Sequence, residues 1–155
     1  MDNLPDLLKQ NPYPGRGLAL GMTPDGGRMV AVYFIMGRSR NSRNRVFVEE
    51  GQSLRIEPFD PALVSDPSLI IYHPIRALGQ WLIVTNGDQT DTVYNALANG
   101  GSFESGLRTR TFEPDAPNWT PRISGLMNLQ DGACRLSILK AQDEQGTRCQ
   151  RHFFE

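Results

Sequence analysis

The sequence predicts an α+β domain built mainly from antiparallel strands. Short apolar runs alternate along the chain with turn residues at regular intervals, which is typical of a sheet protein. Only one internal segment shows convincing helical periodicity. With 155 residues and 39% hydrophobic content, the chain can bury one substantial core, and its length favours a single domain over residues 1–155.

Apolar runs bounded by turn signals define the predicted strands. The first two form a hairpin, because Pro-Asp-Gly-Gly at residues 24–27 has the turn chemistry of a tight connection. Similar turns at residues 131–132 and 143–146 connect a final meander. In order, the predicted strands are residues 17–23, 28–36, 46–48, 54–56, 69–72, 80–85, 124–129, 133–142 and 147–154.

The one predicted helix follows Asn-Gly at residues 86–87. Asp88 or Thr90 can cap it, and the glycines at residues 100–101 can end it. Its apolar stripe consists of Val93, Tyr94 and Leu97. So few helices leave an outer sheet face uncovered, so we expect either a further C-terminal part or a partner subunit.

Composition argues against several classes of function. The formal net charge is -1 and no long basic stripe occurs, so nucleic acid is not the expected partner. We find neither a signal peptide nor an apolar run that could span a bilayer, and therefore expect a cytoplasmic protein. Cys134 and Cys149 are not in CxxC spacing, and with His73 and His152 they predict no metal site.

Arginine dominates the basic residues, since Lys9 and Lys140 are the only lysines among 16 Lys and Arg residues. A guanidinium group offers planar, bidentate donors to phosphate, whereas an ammonium acts as a point charge. A phosphorylated small molecule is therefore the first ligand to consider, and a solvated basic loop is the alternative. The densest cluster consists of Arg38, Arg40, Arg43 and Arg45.

Three other loops share the composition of this cluster. Residues 11–17, 86–91 and 113–122 each combine Gly or Pro with charged and amide side chains. Each lies at the end of a predicted strand or helix, where loops on a rigid scaffold commonly build binding sites.

Five ordered motifs connect these loops to a known family. They are Tyr-Pro-Gly-Arg-Gly (13–17), Gly-Arg-Ser-Xaa-Xaa-Ser-Arg-Asn-Arg (37–45), Leu-Ile-Ile-Tyr (69–72), Asn-Gly-Xaa-Gln-Thr-Asp (86–91) and Glu-Pro-Asp-Ala-Pro-Asn-Trp-Thr-Pro-Arg-Ile (113–123). In this order they resemble the archaeal-type IMP cyclohydrolase family and its bacterial relatives. The resemblance covers about residues 11–125, and the ordered set is far more specific than any single motif.

The resemblance implies a fold similar to the N-terminal-nucleophile hydrolases, with two stacked antiparallel sheets between helical layers. It implies the last step of purine synthesis, in which 5-formamidoimidazole-4-carboxamide ribonucleotide (FAICAR) closes to IMP with loss of water, without a metal or organic cofactor. The alternative is a repurposed relative that binds purine nucleotides without turnover. Family members extend beyond the end of this chain, so we expect it to lack a C-terminal part and to need oligomerisation for stability.

Three residues match family positions at the reacting end of the substrate. The carboxamide nitrogen must lose a proton while the formyl oxygen gains negative charge, so the reaction needs a proton acceptor and a donor. The resemblance assigns Glu113 to accept or relay the proton, Tyr72 to donate one, and Arg38 to lie nearest the reacting atoms. The alternatives are a surface glutamate for Glu113 and an ordinary sheet-edge tyrosine for Tyr72.

The remaining candidates are expected to bind the nucleotide. They are Arg16, Ser39, Ser42, Arg43, Asn44, Arg45, Asn86, Asp88, Asn118 and Arg122. Asp88 can instead cap the helix, and Arg16, Asn118 or Arg122 can instead brace Glu113. Trp119 could stack on a base or fill core space. Arg40 occupies a variable position of the motif and could be a solvated side chain.

Overall fold

The structure, a computed structural model, describes residues 3–64 and 66–155 and confirms the predicted α+β class. The strands are β1 (Arg16–Met22), β2 (Met29–Ile35), β3 (Val46–Glu50), β4 (Ser53–Glu57), β5 (Ile75–Leu78), β6 (Trp81–Thr85), β7 (Arg122–Asn128), β8 (Cys134–Ala141) and β9 (Cys149–Phe154). The helices are α1 (Leu4–Gln10), α2 (Arg40–Arg43), α3 (Gln89–Ala98) and α4 (Phe103–Arg108), with a 3₁₀ turn at Pro61–Leu63.

Two antiparallel sheets form the framework. Strands β1 and β2 pair with each other, and β3 to β9 form a seven-stranded sheet in chain order. The hairpin packs on one face of the larger sheet, where Leu18 and Leu20 of β1 approach Gly125 of β7. A Cβ atom at Gly125 would lie 2.8 Å from Leu20 Cδ1, so the absence of a side chain there lets the two sheets come together.

The opposite face of the large sheet carries α3 and α4. Ile83 of β6 and Leu126 of β7 are register partners, so their side chains share this face. They pack with Leu139 of β8 against the helices, which contribute Val93, Phe103 and Leu107 to the buried core. Each such side chain stabilises the fold by about 1.5–3 kcal/mol when fully buried. The order of layers is therefore helices, large sheet, hairpin.

The predicted strand at residues 69–72 is wrong. The backbone N–H groups of Ile70 and Ile71 donate to the Pro67 carbonyl at 3.1 and 2.9 Å, which makes this segment a turn. Ile70 is 7% exposed, so the apolar character of the run reflects packing rather than strand pairing. The strand paired with β6 is instead β5, and a two-residue turn at residues 79–80 connects them.

The prediction of only one convincing internal helix is also wrong. In α4, the Ser102 hydroxyl accepts from Ser105 N at 3.0 Å, while the Ser105 hydroxyl accepts from Ser102 N at 2.8 Å. This reciprocal cap satisfies backbone donors in a helix too short to show a clear apolar period. Among residues 3–64 and 66–155, no helix is long and apolar enough to cross a membrane.

Candidate active site

A cavity of about 380 Å³ opens between the loop that follows β2 and the loop that precedes β7. The predicted site residues on its wall are Arg16, Arg38, Ser39, Ser42, Arg45, Glu113 and Asn118. Others on the wall include Tyr13, Asn41, Asp66, Asp115 and Thr120. Residues from four of the five sequence motifs therefore meet around one space, since Leu69 and Ile70 also line it. Arg16 and Glu113, for example, are 97 positions apart in the chain.

The arginine cluster folds into the short helix α2 rather than an extended loop. The Ser39 hydroxyl accepts from Ser42 N at 3.0 Å, and the Ser42 hydroxyl accepts from Ser39 N at 2.9 Å. A Cβ at Gly37 would lie 2.4 Å from the Ser42 carbonyl oxygen, so only glycine permits this close return. The hydroxyls of Ser39 and Ser42 thus hold the turn that forms part of the cavity wall.

Arg16 and Glu113 form a bidentate ion pair at the cavity. Both guanidinium–carboxylate distances are 2.8 Å, and Arg16 Nη1 also donates to the Asn86 carbonyl at 2.7 Å. Burial alone lowers the pKa of Arg16, but its hydrogen bond to Glu113 and the charge of that carboxylate raise the pKa above its usual range. Glu113 is 3% exposed, so its alternative reading as a surface glutamate is wrong.

Arg38 and Arg45 also line the cavity, but neither has a carboxylate partner among residues 3–64 and 66–155. Arg38 Nη1 donates to Asn118 Oδ1 at 3.0 Å, and its guanidinium lies 5.4 Å from the ring centre of Tyr13. Burial lowers the pKa of the half-buried Arg45, and the charge of Arg16 lowers it further, despite the opposing effects of nearby phenol and carboxylate groups. These two cations are suited to an incoming anion.

Tyr72 lies behind the cavity wall rather than on it. Tyr72 is only 5% exposed, and its hydroxyl lies 2.7 Å from the hydroxyl of Tyr33. Both phenols interact electrostatically with Arg16 and Arg45, which do line the cavity. The Tyr72 carbonyl accepts from Ile56 N of β4 at 2.9 Å, so the backbone at Tyr72 extends the pairing with β4 to residues that precede β5.

Two of the predicted nucleotide ligands brace loops instead of lining the cavity. Asn44 bonds the backbone of Asp60 with both ends of its amide, at 2.7 Å each. The Asn86 amide donates to the Pro121 carbonyl at 2.8 Å and accepts from Ile123 N at 2.9 Å. Both amides connect segments that are distant in sequence, and these contacts occupy their hydrogen-bonding groups.

Asp88 and Arg122 also lie away from the cavity wall. Asp88 Oδ1 is 2.6 Å from Arg122 Nη1, and Asp88 Oδ2 is 2.5 Å from Arg110 Nη2. Burial opposes ionisation of Asp88, but the two arginines outweigh it and hold its pKa below the ordinary value. The prediction that Asp88 caps the helix through its side chain is wrong, because the carboxylate forms these ion pairs and makes no cap hydrogen bond.

The other candidates have structural contacts as well. Arg43 does not line the cavity, but its Nε donates at 2.8 Å to the carbonyl of Gly37, which does. Arg40 is exposed. Trp119 packs edge-on against Phe112 with ring centres 5.6 Å apart, as expected for a space-filling role. In the described part of the chain, His, Cys, Asp and Glu side chains form no group of three that could hold a metal ion.

Sequence reasoning missed Tyr33. It lies on β2, where its register partner is Leu18, and Leu18 faces the large sheet. Register partners share a face of a sheet, so the alternation of the hairpin predicts that Tyr33 points inward. A phenol on an otherwise apolar inner face usually has a hydrogen-bond partner, and this was the signal available in the sequence.

Comparison with known proteins identifies the family. The model of the IMP cyclohydrolase-like protein family matches residues 13–152. The IMP cyclohydrolase of Methanopyrus kandleri is 36% identical over 116 residues, 72% of this chain and 57% of that protein. That of Methanothrix thermoacetophila is 32% identical over 136 residues, 85% of this chain and 64% of that protein. The chain thus spans about three fifths of the length of these relatives, and it belongs to the IMP cyclohydrolase-like protein family.

Proposed function

We propose that this chain is an IMP cyclohydrolase, which closes FAICAR to IMP with loss of water. The observation that carries the proposal is the cavity in which Arg38 and Arg45 flank the buried Arg16–Glu113 pair. A ribonucleotide substrate needs a cationic seat for its 5′-phosphate and a proton acceptor near its base, and this wall combines both kinds of group. Membership of the family and the names of the relatives support the same reaction.

Arg45 is proposed to bind the phosphate, whereas Arg38 is assigned to the reacting end of the substrate. The half-buried guanidinium of Arg45 has lost part of its hydration without gaining a carboxylate among the described residues, so an anion there gains more than at a fully hydrated cation. Ser39, Ser42 and Asn118 add polar groups to the same wall. We propose supporting roles for Arg43, Asn44, Asn86, Asp88 and Arg122, because their contacts hold the surrounding loops.

The proposed chemistry moves two protons from nitrogen to oxygen. The carboxamide nitrogen bonds to the formyl carbon, and the formyl oxygen leaves as water after it gains one proton from the carboxamide nitrogen and one from the formamido nitrogen. Glu113 is proposed to accept a proton from nitrogen, since a carboxylate oxygen that already accepts from Arg16 retains a further lone pair. Tyr72 lies behind the wall, beside Arg16 and Arg45, and is proposed as the source of a proton for the oxygen. Arg38 is proposed to stabilise the charge that develops there.

Two further proposals concern the fold type and the cellular compartment and assembly of the protein. The stacking of the β1–β2 hairpin on the large sheet, with helices outside, supports an N-terminal-nucleophile-hydrolase-like arrangement. We also propose that the protein acts in the cytoplasm on a small purine ribonucleotide, as a homo-oligomer.

The test is IMP formation from FAICAR by the purified protein. We expect turnover by the wild type and a loss of roughly 10²- to 10⁴-fold in kcat for Glu113→Gln, the range typical of a positioned acid or base. Arg55→Met serves as a control, because Arg55 pairs with Glu57 outside the cavity. Binding of IMP without turnover would favour the non-catalytic relative, and absence of both binding and turnover would eliminate both readings.

A further inference from the structure

We propose that Tyr33 is a positioning residue that orients the hydroxyl of Tyr72 for proton donation, a role that rests on the proposed cyclohydrolase function. Neither the motifs of the sequence nor the cavity wall includes Tyr33. Its hydroxyl nevertheless lies 2.7 Å from that of Tyr72. Tyr33 would act through Tyr72 and would not touch the substrate.

The ring of Tyr33 is held on two sides. It belongs to the central part of β2, where its backbone is opposite Leu18 of β1. Its ring meets Phe47 of β3 edge-on, with centres 6.1 Å apart and planes at 74°. A ring fixed by a strand and by an aromatic neighbour presents its hydroxyl in one direction, which is what a positioning contact requires.

The positioning role takes Tyr33 as the donor of the shared hydrogen bond, a direction that the 2.7 Å contact permits. Burial raises the pKa of Tyr33, and Tyr72 raises it further, despite the nearby charges of Arg16 and Arg45. Tyr33 therefore stays protonated. A phenol has one hydrogen to donate, so a Tyr72 oxygen that accepts from Tyr33 keeps its own hydrogen for another acceptor.

Loss of the Tyr33 hydroxyl should lower the catalytic rate without weakening substrate binding. Tyr72 loses the contact that fixes its hydroxyl, while the cations and the carboxylate on the cavity wall stay in place. A hydrogen bond of about 1 kcal/mol corresponds to roughly fivefold in rate. Tyr33→Phe should therefore lower kcat by roughly 3- to 10-fold and leave KM and the affinity for IMP unchanged.

A double-mutant cycle tests whether Tyr33 acts through Tyr72. We would measure kcat and KM with FAICAR for the wild type, Tyr33→Phe, Tyr72→Phe and the double variant. The expected result is that Tyr33→Phe lowers kcat in the wild type and has no further effect in the Tyr72→Phe background. Tyr94→Phe is the matched control, because Tyr94 of α3 packs against Arg76 of β5 outside the cavity.

Other outcomes overturn the proposal in distinguishable ways. An inactive wild type refutes the proposed function and this role with it. An active wild type with unchanged kcat in Tyr33→Phe, or with effects that multiply in the double variant, refutes the positioning role alone. If Tyr33→Phe fails to fold, fluorotyrosine at position 33 provides a second readout. Its ¹⁹F resonance should shift in Tyr72→Phe, and an unchanged resonance would refute the contact.

Discussion

The cavity wall and the buried layer behind it both contain arginines, but their guanidinium groups have different partners. On the wall, Arg38 and Arg45 form no ion pair with any carboxylate of residues 3–64 and 66–155. Arg16, which also lines the cavity, is paired with Glu113, and Arg122 in the buried layer is paired with Asp88, in both cases through charge-assisted hydrogen bonds. The first two cations can receive an anion from solution, whereas the second two already have one.

This difference separates binding candidates from structural ones better than position in the sequence does. Arg43 and Arg45 are two residues apart, yet Arg43 supports the Gly37 carbonyl while Arg45 lines the cavity. Arg16 and Glu113 are 97 positions apart, yet they form one bidentate pair. Substitutions at the two kinds of arginine should therefore affect different quantities, stability for the paired ones and ligand affinity for the unpaired ones.

The largest effect on stability is expected for Arg16→Met. This change leaves the Glu113 carboxylate buried without its cation, and breaking a buried ion pair in this way costs about 3–5 kcal/mol. The free energy of unfolding, measured by urea titration, should fall by that amount. A loss below about 1 kcal/mol would mean that water reaches Glu113 and that the pair is not buried in solution.

The matched control for this prediction removes both charges. Arg16→Met combined with Glu113→Leu replaces the pair by apolar side chains, which is often neutral for stability. The double variant should recover most of the stability that the single variant loses. Recovery would show that the cost comes from the unpaired carboxylate rather than from lost packing of Arg16.

A smaller loss is expected for Asp88→Asn. The change leaves Arg122, with 5% of its side chain exposed, without its carboxylate, while the 43% exposure of Asp88 reduces the cost. We expect a loss of roughly 2 kcal/mol in unfolding free energy. Asp91→Asn, in the first turn of α3, is the control, since its pair with Arg76 involves a carboxylate that is 47% exposed and should contribute less than about 1 kcal/mol.

The pH dependence of this loss follows from the depressed pKa of Asp88. Above the ordinary value of 3.8, the ionised carboxylate contributes its full stabilisation to the folded state. That contribution is lost as the pH falls through the lower pKa of the folded protein. The stability difference between wild type and Asp88→Asn should therefore shrink below about pH 4, and a difference that stays constant to pH 2 would contradict the assignment.

Local sequence patterns predict most of the fold because they depend on near neighbours. The β1–β2 hairpin and helix α3 follow from turn residues and periodicity, and both are present. Residues 69–72 mislead because an apolar run does not say whether it is buried by pairing or by packing. Helix α4 was missed because its signal is a reciprocal serine cap rather than an apolar stripe.

The sequence predicts which loops form the site, but it does not predict what each side chain does there. The order of the motifs predicts that Arg38, Arg45 and Glu113 belong to one site, and all three line the cavity. Ion pairs such as Asp88–Arg122 join residues 34 positions apart, and no local pattern specifies them. The Asp88 side chain could therefore be expected to cap α3, which it does not do, because only the folded chain brings the competing guanidinium groups close.

The unpaired arginines on the wall predict an effect on affinity without a loss of stability. Arg45→Met removes a partly desolvated cation, so folding should be unaffected or slightly favoured. Hydrogen bonds to charged groups contribute about 1.5–3 kcal/mol, so the affinity for IMP should fall roughly 10- to 100-fold. Calorimetric titration with IMP measures it, with Arg55→Met as the control. Unchanged affinity for IMP in Arg45→Met would contradict the proposal that Arg45 binds the phosphate.

The smallest effect is expected for Arg40→Gln, which tests whether the ligand-binding surface extends beyond the arginines that line the cavity. Arg40 begins α2, is exposed, and is absent from the cavity wall, although it lies within two residues of Arg38. Glutamine keeps a long polar side chain with good helix propensity, so unfolding free energy should stay within about 0.5 kcal/mol of the wild type. IMP affinity should change less than about twofold, because an exposed cation outside the cavity is screened by salt. A tenfold loss of IMP affinity would instead show that the phosphate-binding surface extends over the α2 turn. The absence of an ion pair to a carboxylate would then not be enough to identify the arginines that bind the ligand.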